Sequence, residues 1–254
     1  MLRAFFDAWS PSRFAALARP GTLLAFDYDG TLAPLVADPT AARMRCRTRI
    51  LLREVGRRYP VVIISGRARD DVGARLGETV PLAVIGNHGA EDGETPLAGA
   101  VALMRAVIAH LTASRAIEGL LLEDKGASIA LHWPQNAPDA LGASLTDRVA
   151  NLLRMGDSPV RLVPGHRVLN VVPKGFANKG DALFRIASAQ GARRVLFVGD
   201  DVTDEDAFAL PRPRFISVRI GFAVSTNARY YLPDQLAIDH VLLELVRRRP
   251  PAPQ

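Results

Sequence analysis

The chain has 254 residues, of which 48% are apolar and 23% charged, with a net charge of +6. That is enough apolar material for a core, and the length suits one large domain or a compact domain with an inserted module. No stretch reaches the ~18 unbroken apolar residues of a membrane span, and a single cysteine, Cys46, excludes an internal disulfide and a cysteine-only metal site.

In chain order, the N-terminal MLRAFFDAWSPSRFAALARPG has Asp7 and Arg13 breaking its apolar run. It lacks the long apolar segment of a secretory signal, so a cytoplasmic, reducing setting is expected. TLLAFD (22–27) reads as a strand that ends on Asp27, with Asp29, Gly30 and Thr31 just beyond. A helix is expected over 41–58. Its arginines, with the RRR of 247–249, carry most of the positive excess and read as a solvated helix face and a basic tail. No nucleic-acid motif or aromatic stacking pattern accompanies them, so no nucleic-acid partner is expected. A second strand, VVIIS (61–65), runs into Ser65-Gly66-Arg67, and a helix follows over 68–76. A third strand, PLAVIG (81–86), runs into GNHGAE, Gly86 to Glu91.

Beyond 86 the pattern changes. A helix over 97–114 precedes GLLLED and ASIALHW, then a helix over 139–155, then VRLVPG and RVLNVVP. Segments 127–133 and 167–172 partly alternate, as half-exposed antiparallel strands do. This order, α-β-β-α-β-β, predicts an inserted module at 91–173 within a core of 1–90 and 174–254, with edges near Ala90 and Pro173. A helix over 179–190 opens on Lys179 and leads into VLFVGD (195–200) and GDDVTDED; FISVRIG (215–221) and a last helix after Pro233 complete the chain. The core strands are continuous apolar runs alternating with helices, which predicts a doubly wound parallel α/β sheet.

Four core strands thus end in polar clusters, and in an open parallel sheet ligands bind outside the carboxyl ends of the strands. Clustered carboxylates repel one another and call for a cation. Oxygen donors without a Cys/His cluster indicate a hard ion, most plausibly Mg²⁺. The chain uses arginine for generic charge and has only three lysines, Lys125, Lys174 and Lys179. Lys179 at a helix start doubles up positive potential, which suits an anion. A metal, a lysine, the Ser65 hydroxyl and a carboxylate nucleophile together describe phosphoryl transfer.

DYDGTL, SGR, NKGDAL and GDDVTDED, in this order, resemble the four motifs of the haloacid dehalogenase-like phosphatases. GNHGAE, LLEDKGASIALHW, RVLNVVPKGFANKG and GDDVTDE narrow the resemblance to the trehalose-6-phosphate phosphatase family. The resemblance implies a Rossmann-like core with an inserted α/β cap, and Mg²⁺-dependent hydrolysis of trehalose 6-phosphate, the last step of trehalose biosynthesis. It implies Asp27 as the nucleophile that forms an aspartyl-phosphate and Asp29 as the proton shuttle, in surroundings that favour its neutral acid at first. Mg²⁺ would bind Asp27, the Asp29 backbone carbonyl and Asp200, with Asp201 or Asp204 orienting waters or the lysine. Ser65 and Lys179 would hold the transferring oxygens. Gly66, Arg67, Asn87, His88 and Glu91 are candidate substrate contacts at the core edge. Glu123, Lys125, Ser128 and Asn170, with His132 nearby, are candidate sugar contacts on the cap. Lys174 and Asn178 flank the return into the core, and the linkers near 90 and 173 are expected to hinge.

Two positions depart from the family pattern: Asn170 stands where the family usually has Glu, and Pro134 where it often has Arg. A phosphatase for another sugar phosphate, such as a glucosyl or mannosyl conjugate, is therefore a second expectation. A non-catalytic partner of a trehalose-phosphate synthase is a third, opposed by the intact set Asp27, Asp29, Ser65, Lys179 and Asp200. A functional link to such a synthase also follows from the resemblance. A response-regulator receiver also uses an aspartyl-phosphate, but it is about half this length and lacks the inserted module.

Overall fold

The structure, a computed structural model, describes residues 2–36, 38–114, 120–133, 139–153, 159–165 and 167–250. Pro134 lies outside the described residues. The strands are β1 (Arg3–Ala4), β2 (Thr22–Phe26), β3 (Val61–Ile64), β4 (Ala83–Ile85), β5 (Leu121–Asp124), β6 (Ile129–His132), β7 (Val160–Gly165), β8 (Val168–Pro173), β9 (Arg194–Gly199), β10 (Phe215–Ile220) and β11 (Tyr230–Leu232). The helices are α1 (Phe5–Ala8), α2 (Pro11–Leu17), α3 (Cys46–Gly56), α4 (Arg69–Leu76), α5 (Ala98–Ala113), α6 (Asp139–Leu153), α7 (Lys179–Ala189), α8 (Glu205–Phe208) and α9 (Ile238–Arg248).

Two compact units result: Met1–Asp92 with Ala177–Gln254, and Gly93–Phe176. The larger holds a sheet in the order β1-β11-β10-β9-β2-β3-β4, every neighbouring pair parallel. Successive side chains of a strand point to opposite faces. In β2, Leu24 and Phe26 therefore join one core with Ile63 and Val198, while Leu23 and Ala25 join the other with Val62 and Phe197. Helices cover both faces, so both sets must be apolar, which explains the unbroken runs in the sequence. Each fully buried Leu, Ile or Phe contributes about 1.5–3 kcal/mol. The chain is an α/β protein with a parallel-sheet core, as expected.

The smaller unit is a separate antiparallel sheet, β5-β6-β8-β7. Ile129, Leu131, Leu169 and Val171 pack with Met104, Val107 and Leu111 of α5 and Val149 of α6. Directly opposed residues share a face, so Glu123, Ala130, Asn170 and Val163 form a row on the sheet's other side.

Several elements were not expected. β1 and β11 are edge strands of two and three residues, too short to show a period, and α1, α2 and α8 are also new. The N-terminal segment is fastened by aromatic packing: Phe5 stacks on Trp9 at 4.7 Å and meets Tyr230 of β11 edge-on at 5.9 Å. The helix expected over 41–58 starts only at Cys46, because Asp38 caps a 3-10 turn at Pro39–Ala41 first. No described helix is long and apolar enough to cross a membrane.

Candidate active site

The four polar clusters follow β2, β3, β4 and β9, which lie side by side in the sheet. Parallel pairing brings their C-terminal ends to one edge. α7 runs into β9, so the start of α7, with Lys179, lies at the same edge.

Asp27 and Lys179 are both buried, and Lys179 Nζ lies 3.1 Å from Asp27 Oδ1 and 2.7 Å from Asp204 Oδ1. The other Asp204 oxygen accepts from the backbone N–H groups of Asp200 and Asp201 at 2.8 and 2.9 Å. The sequence expectation gave Asp204 an orienting role. In the structure it fixes the lysine and the turn after β9 together. Thr31 Oγ1 donates to Asp200 Oδ1 at 3.3 Å. Gly30 has φ +73°, and a Cβ there would collide with the Asp200 carboxylate, so this turn needs glycine for both conformation and room.

Carboxylate oxygens of Asp27, Asp200 and Asp204 lie within 4.8 Å of one another. Burial pushes the Asp27 carboxyl up to about 8; Lys179 pulls it down, and the charges of Asp204 and Asp29 add to the rise. Burial, then the charges of Asp27, Asp204 and Asp201, hold Asp200 well above the usual carboxylate range. Asp201 is raised as well, chiefly by burial. Burial works against the Lys179 ammonium, but Asp204 and Asp27 outweigh it and keep it charged. One lysine does not neutralise this group of acids. All-oxygen donors at mutual repulsion fit a hard divalent cation.

Arg67 grips both oxygens of Asp29, Nε to Oδ2 at 2.6 Å and Nη2 to Oδ1 at 2.7 Å. Arg67 is itself held by Asp71 at 2.9 Å and by the Pro39 carbonyl at 2.7 Å, and Asp71 also accepts from Arg75. Sequence reasoning missed this network. Its signal was the four-residue spacing of Arg67, Asp71 and Arg75, from just before α4 to its last turn.

Ser65 is buried, and its Oγ accepts from the Arg67 backbone N–H at 3.2 Å. A Cβ on Gly66 would collide with the buried His88 ring. Asn87 and His88 have φ values of +48° and +58°, an uncommon conformation for residues with side chains. Glu91 braces this turn, accepting from Asn87 Nδ2 at 2.7 Å and from the Arg69 backbone at 2.8 Å. Asn178 and Asp181 form a reciprocal cap at the start of α7, while Lys174 is exposed.

On the smaller unit, Glu123 Oε2 lies 2.8 Å from His132 Nε2 and 3.8 Å from Lys125 Nζ. Ser128 is buried in the β5–β6 turn, where Lys125 N donates to its carbonyl at 3.0 Å. Asn170 is buried too, and its amide donates to the Val163 carbonyl of β7 at 3.2 Å.

Residues 25–235 match the family model for trehalose-phosphatase. The chain is 30% identical over 257 residues to a probable trehalose-phosphate phosphatase 4 of Oryza sativa subsp. japonica, covering 91% of this chain and 68% of the relative. It is 32% identical over 199 residues to a trehalose-phosphate phosphatase of Mycolicibacterium paratuberculosis, covering 72% of this chain and about half (49%) of that relative. In fold it is similar to the C-terminal domain of a trehalose-6-phosphate phosphatase of C. albicans, with a TM-score of 0.79, 22% identity, and coverage of 97% of this chain and 98% of that one. With the family's match spanning both units and the polar edge between β4 and β9, the chain belongs to the trehalose-phosphatase family and is a phosphatase.

Proposed function

We propose that this chain hydrolyses trehalose 6-phosphate to trehalose and phosphate through a phosphorylated Asp27, with Mg²⁺ as the cation. The observation that carries the reading is the buried contact of Asp27, Lys179 and Asp204 beside Asp200, in a chain matched by the family along most of its length. Mg²⁺ would be held by Asp27, Asp200 and the Asp29 carbonyl and would supply positive charge for phosphate oxygens.

An Asp27 oxygen attacks phosphorus, and the bond from phosphorus to the sugar oxygen breaks. Lys179 and the Ser65 hydroxyl steady the oxygens being transferred, one by charge and one by hydrogen bonding. Asp29 gives a proton to the departing sugar oxygen, then takes one from the water that attacks phosphorus and breaks its bond to the Asp27 oxygen. Such proton transfer contributes about 10²–10⁴-fold. Arg67 occupies both Asp29 oxygens, so at least one of those bonds opens before the shuttle works, and the remaining bond aims the carboxyl. Asp201 and Asp204 orient the lysine and the surrounding waters.

The smaller unit serves as the sugar-reading cap. Glu123, Lys125 and His132 form a partly buried polar group, with Glu123 the most exposed, able to bond hydroxyls. One observation favours a second reading, a phosphatase for another sugar phosphate: the Asn170 amide is already engaged by Val163. Phosphate release across a sugar-phosphate panel, with Mg²⁺ added and removed by chelation, separates the two. The proposal expects trehalose 6-phosphate to be turned over fastest, and only with the metal. Turnover no faster than that of a generic phosphate ester would sink the substrate assignment, and undiminished turnover under chelation would sink the metal.

A further inference from the structure

The arginine run of 42–58 is left unexplained by the site above. Its second half is paired locally: Arg53 meets Glu78, and Arg57 and Arg58 share Glu54. Its first part is not. Arg45 and Arg47 stand at the start of α3 and line a groove of about 520 Å³ with Leu236, Asp239, His240 and Leu243 of the α9 region. Asp239 is the one carboxylate in that lining, and it is saturated. Its Oδ1 accepts from Thr48 Oγ1 at 2.6 Å, and its Oδ2 lies 3.0 Å from Arg45 Nη1 and 3.9 Å from Arg47 Nε. Two guanidiniums thus share one carboxylate. Among the described residues, Arg45 Nε and Nη2 are buried without an acceptor, and the Arg47 side chain is 68% exposed. His240 stacks on Phe6 at 4.4 Å and adds ring nitrogens to the same wall. α3 starts here without a side-chain cap at its first turn, whereas the turn that leads into α9 is capped by Asp234, which accepts from the Ala237 backbone N–H at 3.1 Å. Surplus guanidinium donors and the uncapped positive end of α3 favour one kind of guest, a compact anion.

We propose that this groove is a second anion site, which takes a phosphate group either free or carried by a small metabolite. Arg45 and Arg47 bind the phosphate oxygens, with Leu236 and Leu243 flanking the body that carries them. The groove shares no residue with the Asp27 cluster, yet the chain joins the two. Gln235, next to Leu236, donates its amide to the carbonyls of Thr31 at 2.9 Å and Leu32 at 3.2 Å, and Thr31 bonds Asp200. A guest that shifts Leu236 therefore acts on the turn that carries the catalytic aspartates.

The test is a titration of the full-length, ¹⁵N-labelled, Mg²⁺-loaded chain with inorganic phosphate at constant ionic strength. Saturable shifts are expected at Arg47, Leu236 and His240. In Arg47→Glu the affinity read at Leu236 and His240 falls by about tenfold or more, a loss of roughly 1.4 kcal/mol or more, with turnover in the absence of added phosphate unchanged. Arg47→Ala, at an exposed position, gives the same direction should the charge reversal misfold. No saturable shift in the groove, or shifts that survive both substitutions, overturns the site. A parallel titration of Asp27→Asn with glucose 6-phosphate shows which source binds more tightly. Gln235→Ala is expected to keep the groove shifts while losing the part of phosphate inhibition that excess substrate does not relieve. Persistence of that part in Gln235→Ala, or its absence from the unaltered chain, overturns the link.

Discussion

The core edge and the face of the smaller sheet use the same kinds of side chain for different ends. At the core edge Lys179, Asp27 and Asp204 have side chains 2%, 6% and 0% exposed, and their charges act on one another through little water. On the smaller sheet Lys125, Glu123 and His132 make a similar acid–base group, but Glu123 is 40% exposed. Exposed pairs are worth about 0–1 kcal/mol, whereas breaking a buried pair costs about 3–5 kcal/mol. Burial shifts proton affinities and focuses charge, which suits bond breaking. Exposure leaves side chains ready to exchange water for a sugar hydroxyl. Substitutions on the two sides should therefore fail in different ways.

The largest effect is expected for Asp27→Asn: turnover down by at least about 10⁴-fold, with circular dichroism and thermal stability retained, because the amide keeps the shape and matches the neutral acid that burial favours. Turnover within tenfold of the unaltered chain would remove Asp27 from the nucleophile's role. Lys179→Met should also suppress turnover, and unlike Asp27→Asn it should lower stability by about 3–5 kcal/mol, since it leaves buried carboxylates without their cation. A melting temperature equal to that of the unaltered chain would contradict the pairing. Glu123→Ala should raise KM for trehalose 6-phosphate by about 10–100-fold, from a lost hydrogen bond of about 1–3 kcal/mol, while leaving p-nitrophenyl phosphate turnover unchanged. Equal losses on both substrates would mean that the smaller sheet does not read the sugar.

A pH dependence of the metal-free chain sharpens the contrast further. Asp27 is raised from the ordinary carboxylate value of 3.8 to about 8. Between those values the folded state holds a proton that the unfolded state has lost. Stability from this group is therefore fully present below about 4 and is lost as pH rises towards 8. Denaturant midpoints measured from pH 5 to 8 should fall more steeply in the unaltered chain than in Asp27→Asn. Parallel curves would show that burial does not hold the proton on this carboxyl as described.

Much of this was readable in the sequence, for physical reasons. Core strands covered on both faces must be apolar at every position, so β2, β3 and β9 showed themselves as runs. Polar residues at their ends had to share one edge once the strands were parallel. β1 and β11 were not readable, since two or three residues carry no period and Phe5 and Trp9 declare their partner Tyr230 only in three dimensions. The Arg67 grip on Asp29 spans 38 positions, and only its Asp71 half has a local spacing. Asn170 looked available to a sugar until its amide was seen on the neighbouring strand.

The central claim is that Asp27 receives the phosphoryl group while a divalent ion is held beside it by Asp200. A crystal structure grown with Mg²⁺ and beryllium trifluoride tests it most directly. The account predicts beryllium bonded to an Asp27 carboxylate oxygen, Lys179 on a fluorine, and Mg²⁺ about 2.0–2.1 Å from oxygens of Asp27 and Asp200. Beryllofluoride on any other side chain, or a metal bound away from Asp200, would contradict it.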